Sequence, residues 1–317
     1  MGIVTSALAY YMKDDIFSQG IPDVKKESNF YGYKKDNYDH RDQEVELPSN
    51  TETLELPEKV DLRQTTRMPS FKDVEQQRNT GTNAIDASLF MLQYNNFNES
   101  VREGESDTEF ESEFTPSQSF VYWNQRYMTN SVMSDSGSSL RNTLKVLCKI
   151  GACDKTMMSN DNLEEDEIIT KHPSEFCFTL AKFNKISQYK KVPQKLDILK
   201  YMVYKCTPVA FGIVLFQSFE DEPDGPYNTG KVLLPDEDLE KTIGSHCVTL
   251  VGYDDTSSEF IVRNSMGEEF GGESAGYLRL PYEYVLNTNY CYDFWCIPRD
   301  DFTKEVKESV SAEEEVE

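Results

Sequence analysis

Three short segments carry side chains that together could perform acyl-transfer chemistry. The first is an amide-rich loop, Gln77-Arg78-Asn79-Thr80-Gly81-Thr82-Asn83-Ala84, running into a helical pattern. The second is a His within a strand-like run, Ser245-His246-Cys247-Val248, and the third is the turn Asn264-Ser265-Met266-Gly267. A His can hold a proton and return it to a leaving amine. An Asn can orient that His, and an amide side chain with a backbone N–H can receive an oxyanion. Peptide cleavage by such a set also needs a nucleophile, a thiolate favoured by a helix N-terminus and a nearby imidazole. At the helix start stands Asn83, whose amide cannot become a thiolate. Asn83 suits the helix N-cap instead, where its side-chain oxygen would accept free first-turn N–H groups.

The elements that must position these residues fall into two blocks. Asn83–Phe97 shows Ala84, Ala87, Ser88, Met91 and Leu92 at helical spacing. Pro116–Tyr127 and Ser138–Ile150 read as further helices, the second ending at Gly151. Gln194–Cys206 is amphipathic through Leu196, Leu199, Met202 and Val203. Strands follow at Pro208–Phe216, His246–Tyr253, Phe260–Arg263, Tyr277–Leu280 and Asp293–Ile297, split by Gly and Asp turns. Helices then strands in separate blocks predict an α+β fold.

Composition narrows the function classes. The net charge of −24 argues against nucleic-acid binding, which needs Lys and Arg at phosphates. The 18 Phe and 18 Tyr within 317 residues supply enough apolar surface for a sizeable core. Seven cysteines, an odd count without regular spacing, together with no secretory signal pattern, predict reduced thiols and a cytoplasmic-type setting. No apolar run approaches the ~20 residues needed to span a bilayer. No metal or cofactor motif is present, so no cofactor is expected. Residues 98–113 are rich in Glu and Ser and read as an exposed loop.

The ordered blocks of the chain resemble the papain-like cysteine peptidases, most of all the compact forms of bacteria and large DNA viruses. Phe30–Asp42 resembles their Tyr-Gly-aromatic…Asp-x-Arg-Asp leader, and Leu56–Arg63 their mature N-terminal strand. Phe114-Thr115-Pro116-Ser117, Phe120-x-Tyr122-x-Asn124-x-Arg126 and Asp135-Ser136-Gly137-x-Ser139-Leu140-Arg141 recur in the same order. So do Val251-Gly252-Tyr253-Asp254, Arg263-Asn264-Ser265 and Pro281-Tyr282-Glu283-Tyr284. The resemblance implies a two-lobed fold, a helical lobe at about 70–190 and an antiparallel, barrel-like β lobe at about 191–300, within a domain of 56–300. Residues 1–55 would form an arm lying on that domain through its aromatics, and 301–317 an acidic, disordered tail.

The same resemblance assigns roles. Gln77 would be the side-chain oxyanion donor, Asn83 would occupy the nucleophile site, His246 would be the acid–base and Asn264 its orienter. Ser136 and Gly137 would lie along the substrate cleft. Several departures surround this site. Asn83 replaces Cys, Met266 replaces the Trp that shields the Asn–His pair, Phe270 stands where a second Trp is usual, and Ser245-His246-Cys247 stands where Gly-His-Ala is common. No neighbour obviously rescues the reaction. Cys247 adjoins His246, but successive strand residues face opposite ways, and Cys148 and Cys153 flank a distant helix end as buried structural thiols. Thr82 and Ser245 stand beside the nucleophile and His positions, not at the nucleophile site.

The expected function is therefore a catalytically silent papain-like homologue with a structural or protein-interaction role, extending to a virion component near a capsid or membrane. Two alternatives stand beside it: an active thiol endopeptidase carrying Asn83 in place of its Cys, and a non-cleaving peptide-binding module. The last requires an open cleft beside Gln77 and His246. Met1-Gly2-Ile3-Val4-Thr5-Ser6 fits the myristoylation pattern at Gly2. One such chain holds a membrane only weakly, with an association constant on the order of 10⁴ per molar. Peripheral membrane contact would then need partner proteins, capsid or other virion proteins being the expected ones.

Overall fold

The computed structural model describes residues 31–298, apart from 49–50, 52–53, 66–67, 69–70, 72–73, 103–113, 162, 221–224 and 237. The candidate acylation site at Gly2 and the acidic tail lie outside the described residues. The helical block comes first: α1 (Asn83–Arg102), α2 (Gln118–Met128), α3 (Leu140–Lys149), α4 (Glu165–Thr170) and α5 (Glu175–Ala181). A strand β1 (Lys59–Asp61) precedes them, and β2 (Lys190–Lys191), α6 (Leu196–Tyr204), β3 (Val209–Phe216), β4 (Thr242–Asp254), β5 (Glu259–Arg263), β6 (Tyr277–Pro281) and β7 (Cys291–Cys296) follow. The strands form one antiparallel sheet in the order β2-β7-β3-β4-β5-β6, with β1 paired to β4. Helical lobe followed by antiparallel sheet is the α+β arrangement expected.

Helix α1 is the seam between the lobes. Ile85, Leu89 and Leu92, spaced by three or four residues, join the apolar cluster of the helical lobe with Phe120, Leu140 and Leu144. Phe90, Tyr94 and Phe97 join the cluster of the sheet with Phe211, Val248 and Val262. Burying both faces of one helix aligns its N-terminus, residue 83, with the line where the lobes meet. Two corrections concern elements. Residues 98–102, expected in an exposed loop, continue α1, and the Asn98 side-chain Nδ2 donates to the Tyr94 carbonyl one turn back at 2.8 Å. The short helices α4 and α5 were not expected at all. Each starts on a side-chain cap: Glu164 forms a capping box with Glu167, and Ser174 accepts from the Cys177 amide.

The segment 31–48 lies on the domain and is clamped there through Asp36 and Asp42. Arg141 opens its guanidinium onto Asp42, with Nε and Nη2 donating at 2.9 and 2.6 Å. Both side chains are 8% exposed, and Lys191 adds a third contact to Asp42 at 3.1 Å. The Arg141 amide and the Trp295 indole N–H both donate to Asp36. Buried bidentate pairs of this kind stabilise only while both partners are present, since removing one strands the other's charge. Arg141→Ala is therefore expected to cost roughly 3 kcal/mol in urea unfolding and to expose the 31–48 segment to limited proteolysis. An unchanged urea midpoint with full protease resistance would contradict this assignment.

Candidate functional site

The amide-rich loop is fixed from below by residues of α2 and the turn before α3. Tyr122 donates its hydroxyl to Asp135, and Asp135 accepts the Gly81 amide on both carboxylate oxygens, each at 3.1 Å. Ser138 Oγ donates to the Gly81 carbonyl at 2.6 Å and accepts the Ala84 amide at 3.3 Å. A Cβ on Gly81 would stand 2.5 Å from Gly137 Cα, so that crossing requires glycine. These ties place the start of α1. Asn83 is fully buried there as the first helical residue. Its expected capping role is corrected: Asn83 Oδ1 takes none of the first-turn amides. Thr82 occupies the preceding position, its carbonyl accepting the Asp86 amide and its hydroxyl donating to the Asp86 carboxylate.

His246 and Asn264 meet as the sequence suggested. His246 Nε2 lies 2.7 Å from Asn264 Oδ1, and both residues are buried. The amide orientation is settled by a second donor, because the Ser265 N–H also points to Asn264 Oδ1 at 2.9 Å. An oxygen that receives a backbone N–H must receive the imidazole N–H as well, so the proton of His246 sits on Nε2. Nδ1 then offers only its lone pair, and nothing among the described residues hydrogen-bonds it. Burial holds the ring neutral, lowering its pKa from 6.5 to about 4, with the bond to Asn264 a smaller opposing influence. Gln77 stands against the same turn. Its amide N–H donates to the Ser265 carbonyl at 2.9 Å, its Oε1 accepts from Ser265 Oγ at 2.6 Å, and its Nε2 donates to the Thr80 carbonyl at 3.0 Å. Gln77, Asn83, His246 and Asn264 are thus drawn together across the lobe boundary.

The groove beside them is occupied by the chain itself. Residues 31–34 run parallel to both walls. Tyr33 N–H donates to the Ser245 carbonyl, and Lys34 N–H to the Ser138 carbonyl; Ser138 N–H returns a bond to the Gly32 carbonyl. Gly137, expected along the cleft, is there, with φ +72°, and a Cβ on it would stand 2.1 Å from the Gly32 oxygen. Ser136 is adjacent, but its hydroxyl pairs with that of Ser131 at 2.8 Å. The Tyr31 ring meets His246 edge-on at 6.3 Å and Phe219 at 6.4 Å, and Phe219 in turn stacks on Phe270 at 5.7 Å. Tyr31 therefore lies against the His246 ring, a contact that sequence reasoning missed. Cys247 faces away as expected, packed among Tyr33, Ala210 and Trp295, and burial pushes its thiol well above the usual range. Cys153 is buried as expected, whereas Cys148 is only partly so.

A second unforeseen group is Asp86, one turn into α1. It is buried, accepts from Thr82 and from Gln118 at 3.1 and 2.5 Å, and is pushed up to about 7 by desolvation. It borders a cavity of about 150 Å³ on the far side of the Gln77 loop.

The sequence and the fold match known proteins. A sequence profile of the papain family cysteine proteases matches residues 148–292. An uncharacterized peptidase C1-like protein of Acanthamoeba polyphaga mimivirus is 28% identical over 293 residues, covering 87% of this chain and 88% of its own length. Xylellain, a cysteine protease from Xylella fastidiosa, is 31% identical, superposes with a TM-score of 0.73 and covers 84% of this chain and 95% of its own. The chain belongs to the papain-like cysteine peptidase family. A Trypanosoma congolense procathepsin B, 15% identical with a TM-score of 0.60, shares the fold. Within this family the chain keeps the His, the Asn and the Gln, and carries an amide at position 83. At that position it has no group that can form a thioester.

The two buried titrations have opposite signs. His246, lowered to about 4, contributes stability that is intact above pH 6.5 and lost as pH falls through 4. Asp86, raised to about 7, contributes stability that is intact below about pH 3.8 and lost as pH rises through 7. The imidazole resonances of His246 should accordingly stay those of the Nε2–H neutral ring from pH 8 down to 5. A His246 midpoint near 6.5 by NMR would refute the buried neutral state. Between about pH 4 and 7, where the folded state keeps the Asp86 proton that the unfolded chain has released, stability falls by up to about 1.4 kcal/mol per pH unit. Asp86→Asn should flatten that decline in urea midpoints.

Proposed function

We propose that this protein is a catalytically silent papain-like homologue whose fold serves a structural or protein-interaction role. The observation that carries the reading is Asn83: the nucleophile position holds a buried amide, while the surviving His is neutral and covered. The occupied groove supports it, since residues 31–34 hydrogen-bond both walls where a substrate would lie. The same occupancy weighs against the peptide-binding alternative, which needs that groove open. A setting in a virion, with capsid or membrane-proximal partners, is the further part of the proposal. It is supported by the likeness to a mimivirus protein and by the Gly2 acylation pattern.

The protein is expected to release no product from unfolded protein or fluorogenic peptides above the background of its own His246→Ala variant. Turnover that His246→Ala abolishes would overturn the silent reading. Asn83→Cys separates the remaining alternative. We expect its new thiol to react slowly with a peptidyl electrophile while residues 31–34 fill the groove, and faster when Gly137→Ala is added to displace Gly32. Vigorous peptide cleavage by Asn83→Cys alone would instead show a site intact except for its nucleophile. For the membrane part, intact mass of the chain expressed in eukaryotic cells should show a myristoyl group on Gly2, and an unmodified terminus refutes it.

A further inference from the structure

Helix α5 has two unlike faces. Cys177 and Ala181 are buried in the apolar cluster of the helical lobe, where Phe178 packs edge-on against Phe120 at 5.2 Å. Phe176 and Phe183 lie seven residues apart, about two helical turns, so they share one side. The Phe183 amide bonds to the Leu180 carbonyl at 3.1 Å and continues the winding past the helix end. That side faces solvent. Phe176 is 59% exposed and Phe183 82% exposed, with Leu180 half-buried between them. Lysines surround this stripe. Residues 171–191 hold five Lys and one acid, Glu175, in a chain of net charge −24. Lys182 and Lys185 flank Phe183 and are exposed. The end of α3 packs beside them: a Cβ on Gly151 would stand 1.9 Å from the Ala181 carbonyl oxygen, and the Ile186 amide donates to the Leu147 carbonyl at 3.4 Å. Exposed Lys149 therefore belongs to the same edge. Lys149, Lys182 and Lys185 form no ion pair among the described residues.

We propose that this face of α5 is a docking surface for an anionic phospholipid bilayer. Two features favour lipid over a protein partner. The two rings can bury about 150–250 Å² each, well short of the roughly 800 Å² that each side of a specific protein interface covers. The surrounding cations are Lys, in which protein interfaces are poor, and residues 171–191 contain no Arg, in which they are rich. A bilayer asks for less. The ring tips enter the boundary between headgroups and acyl chains, and the lysine stems lie along the surface with their ammonium groups at the lipid phosphates. The net negative charge of the chain does not oppose this at close range, because exposed charges farther off than about 8 Å are largely screened at physiological salt. The surface would also provide the second attachment that a single acyl chain needs. It adds to the membrane-proximal part of the proposed function without resting on it, since its residues are those of α5 and its surroundings and not Gly2.

The test uses the full chain made in bacteria, with Gly2 unacylated by intact mass, in flotation with phosphatidylcholine vesicles that do or do not contain phosphatidylserine. Binding should require phosphatidylserine and should fall steeply at high salt. Phe176→Ser and Phe183→Ser should each weaken it about tenfold, and Lys182→Glu combined with Lys185→Glu by more than about tenfold. All of these variants should keep the wild-type Tm, because the altered side chains are exposed. Phe183→Trp should bind like the wild type and add an indole emission that shifts to the blue on vesicles. Lys231→Glu, an exposed lysine of the other lobe, should leave binding unchanged. No binding to phosphatidylserine vesicles, equal binding to both kinds, or binding that survives the Phe and Lys substitutions would each overturn the inference. So would tighter binding to polyglutamate than to the vesicles, which would assign the surface to an acidic protein partner.

Discussion

The two lobes of this protein are joined along their groove by a strip of main chain, residues 31–34, hydrogen-bonded to Ser138 on one side and Ser245 on the other. Much of the site depends on that strip. Gly137 must be glycine because the strip's carbonyl passes 2.1 Å from where a Cβ would stand. His246 is buried in part because the Tyr31 ring lies over its edge, and burial is what keeps the imidazole neutral. The strip is itself held by charges farther along, Asp36 at the Arg141 amide and the Trp295 indole, and Asp42 at the Arg141 guanidinium. Backbone bonds alone would let such a segment exchange with a bound peptide. A buried bidentate ion pair ten residues downstream makes release expensive, since it would leave Arg141 short of its carboxylate.

The motif blocks that bear no catalytic atoms fix the shape of the site. Tyr122 and Asp135 fasten the Gly81 amide, and Arg126 gathers the carbonyls of Val132, Ser134 and Ile169 from the turns beside it. Buried polar groups of this kind are costly unless satisfied. Their demand for partners fixes the loop as firmly as the apolar core does. That framework would stand whether residue 83 were a thiol or an amide.

Much of this was legible in the sequence. The 3.6-residue spacing within 83–97 located the first helix, Gly and Asp turns bounded the strand at His246, and the Asn264 turn followed. Two kinds of feature were not legible. Residues 31–36 announced aromatic packing, but nothing local says that their backbone would bridge Ser138 and Ser245, more than 100 and 200 residues away. The capping role given to Asn83 failed for a related reason. Propensity at a helix N-terminus assumes that the first-turn amides look for a side chain within the helix, whereas Ser138 supplies the Ala84 amide from another segment.

The survival of His246 beside Asn83 follows from what its removal would undo. The imidazole satisfies one lone pair of Asn264 Oδ1, whose other donor is the Ser265 amide. Ser265 in turn holds both the backbone and the side chain of Gln77, and Gln77 closes the loop onto Thr80 just before α1. One buried nitrogen, Nδ1, lacks a donor among the described residues, at a cost of about 1–3 kcal/mol. Losing the imidazole would instead unsettle a chain of buried bonds that runs from β4 through the Asn264 turn to the start of α1. On the proposed reading, the pair that in a thiol peptidase would move a proton acts here as the anchor of the turn whose Ser265 ties the β lobe to Gln77. On the proposed reading, that tie is sufficient reason for an acid–base residue to remain where no acid–base chemistry is carried out.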